Sequence, residues 1–205
     1  MDWAKFLALE SRTKAIIHAA GLARQHQLSK HSVHAALKRQ EQRGFVERVS
    51  RKIYINKLAR GFDPRELVSV LRSQSYISLE SALAEAGISS QLPVLLTCVS
   101  ASYVREIKTR SVHITFRKMK EKLFWGFSEN KGRYLSYKIA EPEKALLDWV
   151  YFRRMDARPV SVDELRLELL NRPRLLDYST KYPKPVQQMV LRALAERQDV
   201  ALARP

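Results

Sequence analysis

Up to about residue 60 the apolar positions of the chain follow a helical period, then briefly an extended one, and no internal repeat is evident along the chain. Over residues 3–20 the spacing predicts one or two helices, with Ser11 as a break, and residues 21–26 form a further short helix. Gln27, Leu28 and Ser29 read as a tight turn. Residues 29–43 carry the clearest helical signature. Ser29 suits the N-cap because its hydroxyl can accept a free N–H of the first turn; Val33, Ala36, Leu37 and Gln40 fall on one stripe; and Gly44 supplies a left-handed stop. Residues 45–49 and 53–55 are β-prone. Ser50, Arg51 and Lys52 between them predict a hairpin with a polar, basic tip.

Gly61-Phe62-Asp63-Pro64 interrupts the pattern and places a domain boundary near residue 60, with one domain over 1–60 and a second over 61–205. Asp63 as N-cap, Pro64 in the first turn and Glu66 closing a capping box predict a helix over 64–72. A second helix follows Ser78, with Leu79, Leu83 and Ala86 on one side and Gly87 at its end. Residues 94–99 form an apolar run, read as a buried strand. Residues 107–119 alternate, with Val112, Ile114 and Phe116 on one face and His113, Thr115 and Arg117 on the other. Further strands are expected at 123–127 and 134–139, joined through Asn130-Lys131-Gly132. Glu141-Pro142-Glu143 opens a helix to about residue 152. Ser161 and Glu164 form another capping box, and Val186, Met189, Val190, Ala193 and Leu194 mark a final amphipathic helix. The expected class is α+β: an N-terminal winged helix-turn-helix, then a mixed α/β domain with a small, mainly antiparallel sheet and a helical tail from about residue 155.

Composition narrows the function. Apolar residues are 45% of the 205, an ordinary share for a folded chain. No apolar run approaches the ~20 residues of a membrane helix. The start, Met1-Asp2-Trp3-Ala4-Lys5, lacks the basic-then-apolar shape of a secretory signal. Cys98 is the single cysteine, which excludes an internal disulfide and a cysteine-based zinc site. The expectation is a soluble, cytoplasmic protein without membrane contact. The net charge of +16 asks for a polyanionic partner. It is also uneven: residues 1–60 hold 13 Lys/Arg against 4 Asp/Glu, and residues 103–138 hold 10 against 3.

Residues 20–55 spell helix, turn, helix and two-stranded wing. With Val33 and Leu37 inward, Ser29, Lys30, His31, Ser32, His34, Ala35, Lys38 and Arg39 form the candidate face toward double-stranded DNA. Lys30, Lys38 and Arg39 reach phosphates, as do Arg48, Arg51 and Lys52 on the wing. Ser32, His34 and Ala35 approach base edges in the major groove. His31 and His34 stand three apart but lack an apparent third ligand, so no metal site is assigned. His18 is expected to pack within its helix. A second basic surface comprises Arg105, Lys108, Arg110, Arg117, Lys118, Lys120 and Lys122. It is interleaved with Tyr103, Phe116, Phe124, Trp125, Phe127, Tyr134 and Tyr137. Aromatic rings beside cations hold single strands, so an RNA-binding module stands as one alternative to a sheet core with a wet cationic face. No P-loop or Gly-x-Gly-x-x-Gly is present, and no cofactor is implied. Glu141-Pro142-Glu143-Lys144 shares the Glu-x-Lys spacing of some nucleases, and Asp148 in an apolar helix lacks an obvious role. A winged-helix-targeted nuclease is therefore a second alternative. The leading expectation is a non-enzyme.

Four segments carry a family likeness: Gly44-Phe45-Val46-Glu47-Arg48-Val49 with Ile53-Tyr54-Ile55, then Tyr76-Ile77-Ser78-Leu79-Glu80-Ser81-Ala82-Leu83, then Leu123-Phe124-Trp125-Gly126-Phe127, then Ile139-Ala140-Glu141-Pro142-Glu143-Lys144-Ala145-Leu146-Leu147-Asp148. In order and spacing they resemble the AbiEi-type antitoxins of bacterial abortive-infection, type IV toxin–antitoxin systems, across roughly residues 20–152. The lead-in before residue 20 is longer than in the commonest members. The resemblance implies an N-terminal winged helix that represses its own operon, with DNA contact at residues 29–39 and the wing. It also implies a C-terminal domain that counters a nucleotidyltransferase-like toxin without a stable complex. A monomer or a dimer on the operator DNA fits equally.

Overall fold

The computed structural model describes residues 2–102, 105–162 and 164–202, with backbone alone for 196–202. The fold is α+β. In chain order the elements are α1 (Trp3–Glu10), β1 (Ile16–His18), α2 (Ala19–Gln25), α3 (Lys30–Gln42), β2 (Val46–Arg48), β3 (Ile53–Asn56), α4 (Glu66–Leu71), β4 (Ser75–Ile77), α5 (Leu79–Glu85) and β5 (Leu96–Ser100). Then follow β6 (Arg105–Lys108), β7 (His113–Lys118), β8 (Phe127–Lys131), β9 (Ser136–Ala140), α6 (Pro142–Met155), α7 (Arg172–Ser179) and α8 (Lys184–Leu202). A three-stranded sheet has the order β1-β3-β2, and a six-stranded sheet the order β6-β7-β5-β4-β9-β8. The second is mixed, because β4 runs antiparallel to β5 and parallel to β9. Among the described residues no helix is long and apolar enough to cross a membrane.

The chain forms two compact units, neither contiguous in sequence. The first comprises Met1–Ser73, Glu106–Ile114 and Asn130–Tyr137; the second comprises Gln74–Arg105, Thr115–Glu129 and Lys138–Pro205.

In the first unit, Asp2 caps α1 by accepting the N–H groups of Ala4 and Lys5. The helical expectation for residues 11–18 is corrected. Residues 16–18 form β1, antiparallel to β3, with Ile16 opposite Ile55 and His18 opposite Ile53. The reason is a period of two: Ala15, Ile17 and Ala19 are buried while His18 points outward, and β-branched isoleucines suit the pleat. His18 therefore does not pack inside a helix. It is exposed, and its Nδ1 caps α2 by accepting the Gly21 N–H at 3.4 Å. Leu7, Val33 and Leu37 are fully buried and pack with Ile17, Leu22, Val46 and Tyr54. Each such burial stabilises by roughly 1.5–3 kcal/mol. Asn56 fixes α1 to this core, its amide donating to the Leu7 carbonyl at 2.9 Å.

The capping box at Asp63 and Glu66 is also corrected. Asp63 does accept the Arg65 N–H at 2.9 Å, but Glu66 does not reach back to it. Fully buried, Glu66 accepts the N–H groups of Arg133, Tyr134 and Leu135 at 2.9, 3.2 and 3.0 Å.

In the second unit, α6 is buried from Glu143 to Phe152 and packs against α5, α7 and α8. The strand expected at 94–99 begins two residues later. Pro93 breaks the approach, and Val94 is 95% exposed. The single alternating stretch at 107–119 is two strands joined by a turn in which the Thr109 N–H donates to the Val112 carbonyl at 2.8 Å. Residues 123–126 are not a strand, and β8 begins only at Phe127: Leu123 ends a 3-10 turn, and Gly126 takes a φ of +73°. A Cβ there would meet the Lys144 side chain at 3.1 Å. No helix starts between Ser161 and Glu164 among the described residues; Leu165 instead bridges to Ser89. The final helix buries Val186, Val190, Ala193 and Leu194, as their spacing predicts.

Candidate nucleic-acid interface

Helix α3 is set up by its two ends. Ser29 Oγ accepts the Ser32 N–H at 3.0 Å and donates to Ser32 Oγ at 2.8 Å. Gly44, at φ +80°, takes the left-handed conformation that closes the other end. Between them Val33, Ala36, Leu37 and Gln40 are buried. That orientation leaves Lys30, His31, Ser32, Lys38 and Arg39 exposed, with His34 and Ala35 half-buried at the edges of the same face. Every residue assigned to this face from the sequence therefore lies on the outward side of α3 or at its cap.

The hairpin that follows is held in register, with Arg48 opposite Tyr54. Its tip is closed by the N–H groups of Val49 and Ser50, both donating to the Ile53 carbonyl. Arg51 and Lys52 stand exposed at that tip. Arg48 is exposed on the strand beside it, with Nε donating to the Ser50 carbonyl at 3.3 Å. Among the described residues no carboxylate lies within ion-pair distance of Lys30, Lys38, Arg39, Arg48, Arg51 or Lys52. These six cations share a unit that holds 19 Lys/Arg against 7 Asp/Glu, a net of +12 out of +16.

The residues expected to form a second basic surface divide between the two units. Lys108 and Arg110 belong to the first unit, where both are exposed. Arg105, Lys118, Lys120 and Lys122 are exposed in the second unit. Arg117 is committed there: its guanidinium forms two hydrogen bonds to Asp156, at 2.5 and 2.7 Å, and lies 4.4 Å from the Phe152 ring centre. Those hydrogen bonds, opposed by burial and aided by the charges of Arg117 and Arg158, hold the Asp156 carboxyl below its ordinary range. Tyr103 lies outside the described residues. Of the interleaved aromatics, Phe116 and Tyr137 are buried. Phe124 and Phe127 pack on Tyr76, with Phe127 stacked at 4.6 Å.

Asp148 is held by hydroxyl groups that lie far from it in sequence. Lys144 and Asp148, one turn apart on α6, are both 0% exposed and paired. Asp148 Oδ2 accepts from Tyr76 Oη at 3.0 Å and Ser78 Oγ at 2.8 Å, and Oδ1 accepts from Tyr182 Oη at 2.5 Å. Lys144 Nζ donates to both tyrosine oxygens. Burial pushes the Lys144 pKa down, against the opposing pull of Asp148, and burial beside Asp148 pushes both tyrosines up. Glu143 is buried too, accepting the Asn171 N–H at 2.7 Å. These groups brace α6 against β4 and the segment before α8. Among the described residues no three His, Cys, Asp or Glu side chains are grouped to hold a metal.

In comparison with known proteins, no family model and no curated protein matches the chain.

Proposed function

We propose that the chain is a sequence-specific double-stranded DNA-binding repressor whose first unit acts as a winged helix-turn-helix, with α3 as the recognition helix and the β2–β3 hairpin as the wing. The observation that carries this reading is the division of α3. Its apolar stripe is buried, while its cations and those of the hairpin stand outward, with no carboxylate partner among the described residues, in a unit of net charge +12. The element order supports it: helix, strand, two helices at a short turn, then a hairpin completing a three-stranded sheet. Lys30, Lys38, Arg39, Arg51 and Lys52 neutralise phosphates, and Ser32, His34 and Ala35 meet base edges. On the likeness of its four segments to the AbiEi-type antitoxins, the repressor also serves as antitoxin. It controls its own operon and counters a nucleotidyltransferase-like toxin, itself without catalytic activity.

Binding to the duplex upstream of its own gene tests the reading. With about six phosphate contacts, log affinity falls with log salt at a slope near −5. The triple variant Arg39→Ala/Arg51→Ala/Lys52→Ala loses most of both affinity and slope. Absence of wild-type binding at low salt, or an unchanged triple variant, sinks it. Co-expression with a nucleotidyltransferase-like product of the neighbouring gene tests the antitoxin part, where rescue of growth is expected.

A further inference from the structure

Beside the C-terminal end of α3 the first unit holds a cleft of about 340 Å3. Four cations line it: Arg48 from the hairpin, Lys57 just after it, Lys108 at the end of β6 and Arg110 in the turn that follows. All four are exposed. The two carboxylates of the cleft are engaged in building its walls. Glu41 accepts the backbone N–H of Arg48 at 3.3 Å. Glu47 accepts the backbone N–H of Ser111 at 2.9 Å and the Ser111 hydroxyl, and stands 3.7 Å from Lys57. Among the described residues no carboxylate is within ion-pair distance of Arg48, Lys108 or Arg110. Across the turn that follows Lys108, the Thr109 N–H donates to the Val112 carbonyl at 2.8 Å and the Val112 N–H donates to Thr109 Oγ1 at 3.2 Å.

A concave wall lined by several cations concentrates positive potential and favours an anion. The lining offers little to an apolar ligand, since Val46 is its single large apolar side chain and is buried. Several lysines and arginines around one space suit a group carrying charge on several oxygens. We infer that this cleft is a phosphate-binding site and that the phosphate it takes is a DNA backbone phosphate beside those held by α3 and the wing. The source rests on the DNA-binding reading above; the phosphate chemistry does not. Arg48 joins the two surfaces, being both a wing residue and part of the cleft wall.

The chain is compared as wild type, Lys108→Ala/Arg110→Ala, Lys108→Arg/Arg110→Lys and the triple variant Arg39→Ala/Arg51→Ala/Lys52→Ala of α3 and the wing, with thermal melts as the check on folding. Duplex binding is measured from 50 to 200 mM salt, and inorganic pyrophosphate is titrated into DNA-free protein by calorimetry. The expected result is a salt slope smaller by about 2 and an affinity lower by roughly tenfold for the double alanine variant, restored by the conservative swap. If the double variant keeps the wild-type slope yet loses pyrophosphate binding that wild type shows, the site takes a free phosphate ligand and the DNA source is overturned. If it equals wild type in both assays, the inference is overturned while a sensitive wing variant leaves the DNA-binding reading standing. If wild type binds no duplex, that reading fails, and pyrophosphate binding dependent on Lys108 and Arg110 alone decides the cleft.

Discussion

The carboxylate of Glu47 accepts both the backbone N–H and the hydroxyl of Ser111, 64 residues further along the chain. Burial alone would raise the Glu47 pKa. Hydrogen bonds from Ser111 and Thr109 and the charge of Lys57 outweigh it, so the native value lies below the ordinary one. The stabilisation is therefore complete above the unfolded carboxylate value, about 4.3, and is lost as pH falls through the lower native value. Urea unfolding from pH 6 downward should show Glu47→Gln less stable than wild type by about 1–2 kcal/mol near neutrality. The difference should shrink over that acid window. A difference that ignores pH removes the ionised carboxylate from the clasp.

Lys144 and Asp148 make a buried pair whose removal should be asymmetric. Asp148→Ala leaves an ammonium and three hydroxyls without their shared acceptor, and a loss of about 3–5 kcal/mol is expected in denaturant melts. Lys144→Met combined with Asp148→Leu removes both charges and should recover a large part of that loss. Single variants as stable as wild type would show that the pair is not held as described.

What the sequence discloses depends on how far each signal reaches. The bounds of α3 were legible because Ser29, the buried stripe and Gly44 all lie within one helix length. The α6 start was legible because Pro142 and its flanking acids act locally. β1 was not, since three residues carry little periodicity and their partner β3 lies well beyond them in sequence. Of the candidate interface, the α3 face and the hairpin tip followed from local pattern. The placing of Lys108 and Arg110 in the same unit depends on Glu47 and Ser111, a tertiary contact that local spacing does not encode. Glu66 shows the same limit from the other side. A local capping pattern competed with three N–H donors 67 to 69 residues away, and the distant donors won.

That competition predicts a sharp effect at the turn Glu66 holds. A Cβ on Gly132 would lie 2.5 Å from the Leu135 carbonyl oxygen and 2.6 Å from Glu66 Oε1, so Gly132→Ala must push the clasp apart. Glu66→Ala leaves the three N–H groups unpaired. Each variant should cost about 2–4 kcal/mol. Hydrogen exchange gives the specific readout: the amides of Arg133, Tyr134 and Leu135 should lose protection first, ahead of α3. Uniform loss across the unit would mean that Glu66 acts only through general packing.

Ser29 separates folding from the proposed DNA contact. Its hydroxyl caps α3, so Ser29→Ala should cost about 1 kcal/mol. Ser29→Asp keeps a capping oxygen and adds negative charge where the helix dipole favours it, so stability should match or exceed wild type. The same carboxylate would sit at the helix end where a phosphate is proposed to bind, and should repel it. The expected pattern is a Ser29→Asp variant that melts no lower than wild type yet binds the upstream duplex at least tenfold more weakly at low salt, the gap narrowing as salt screens the repulsion. Duplex affinity equal to wild type in this variant would take the N-terminal end of α3 out of the interface, leaving Lys38, Arg39 and the hairpin cations to account for binding.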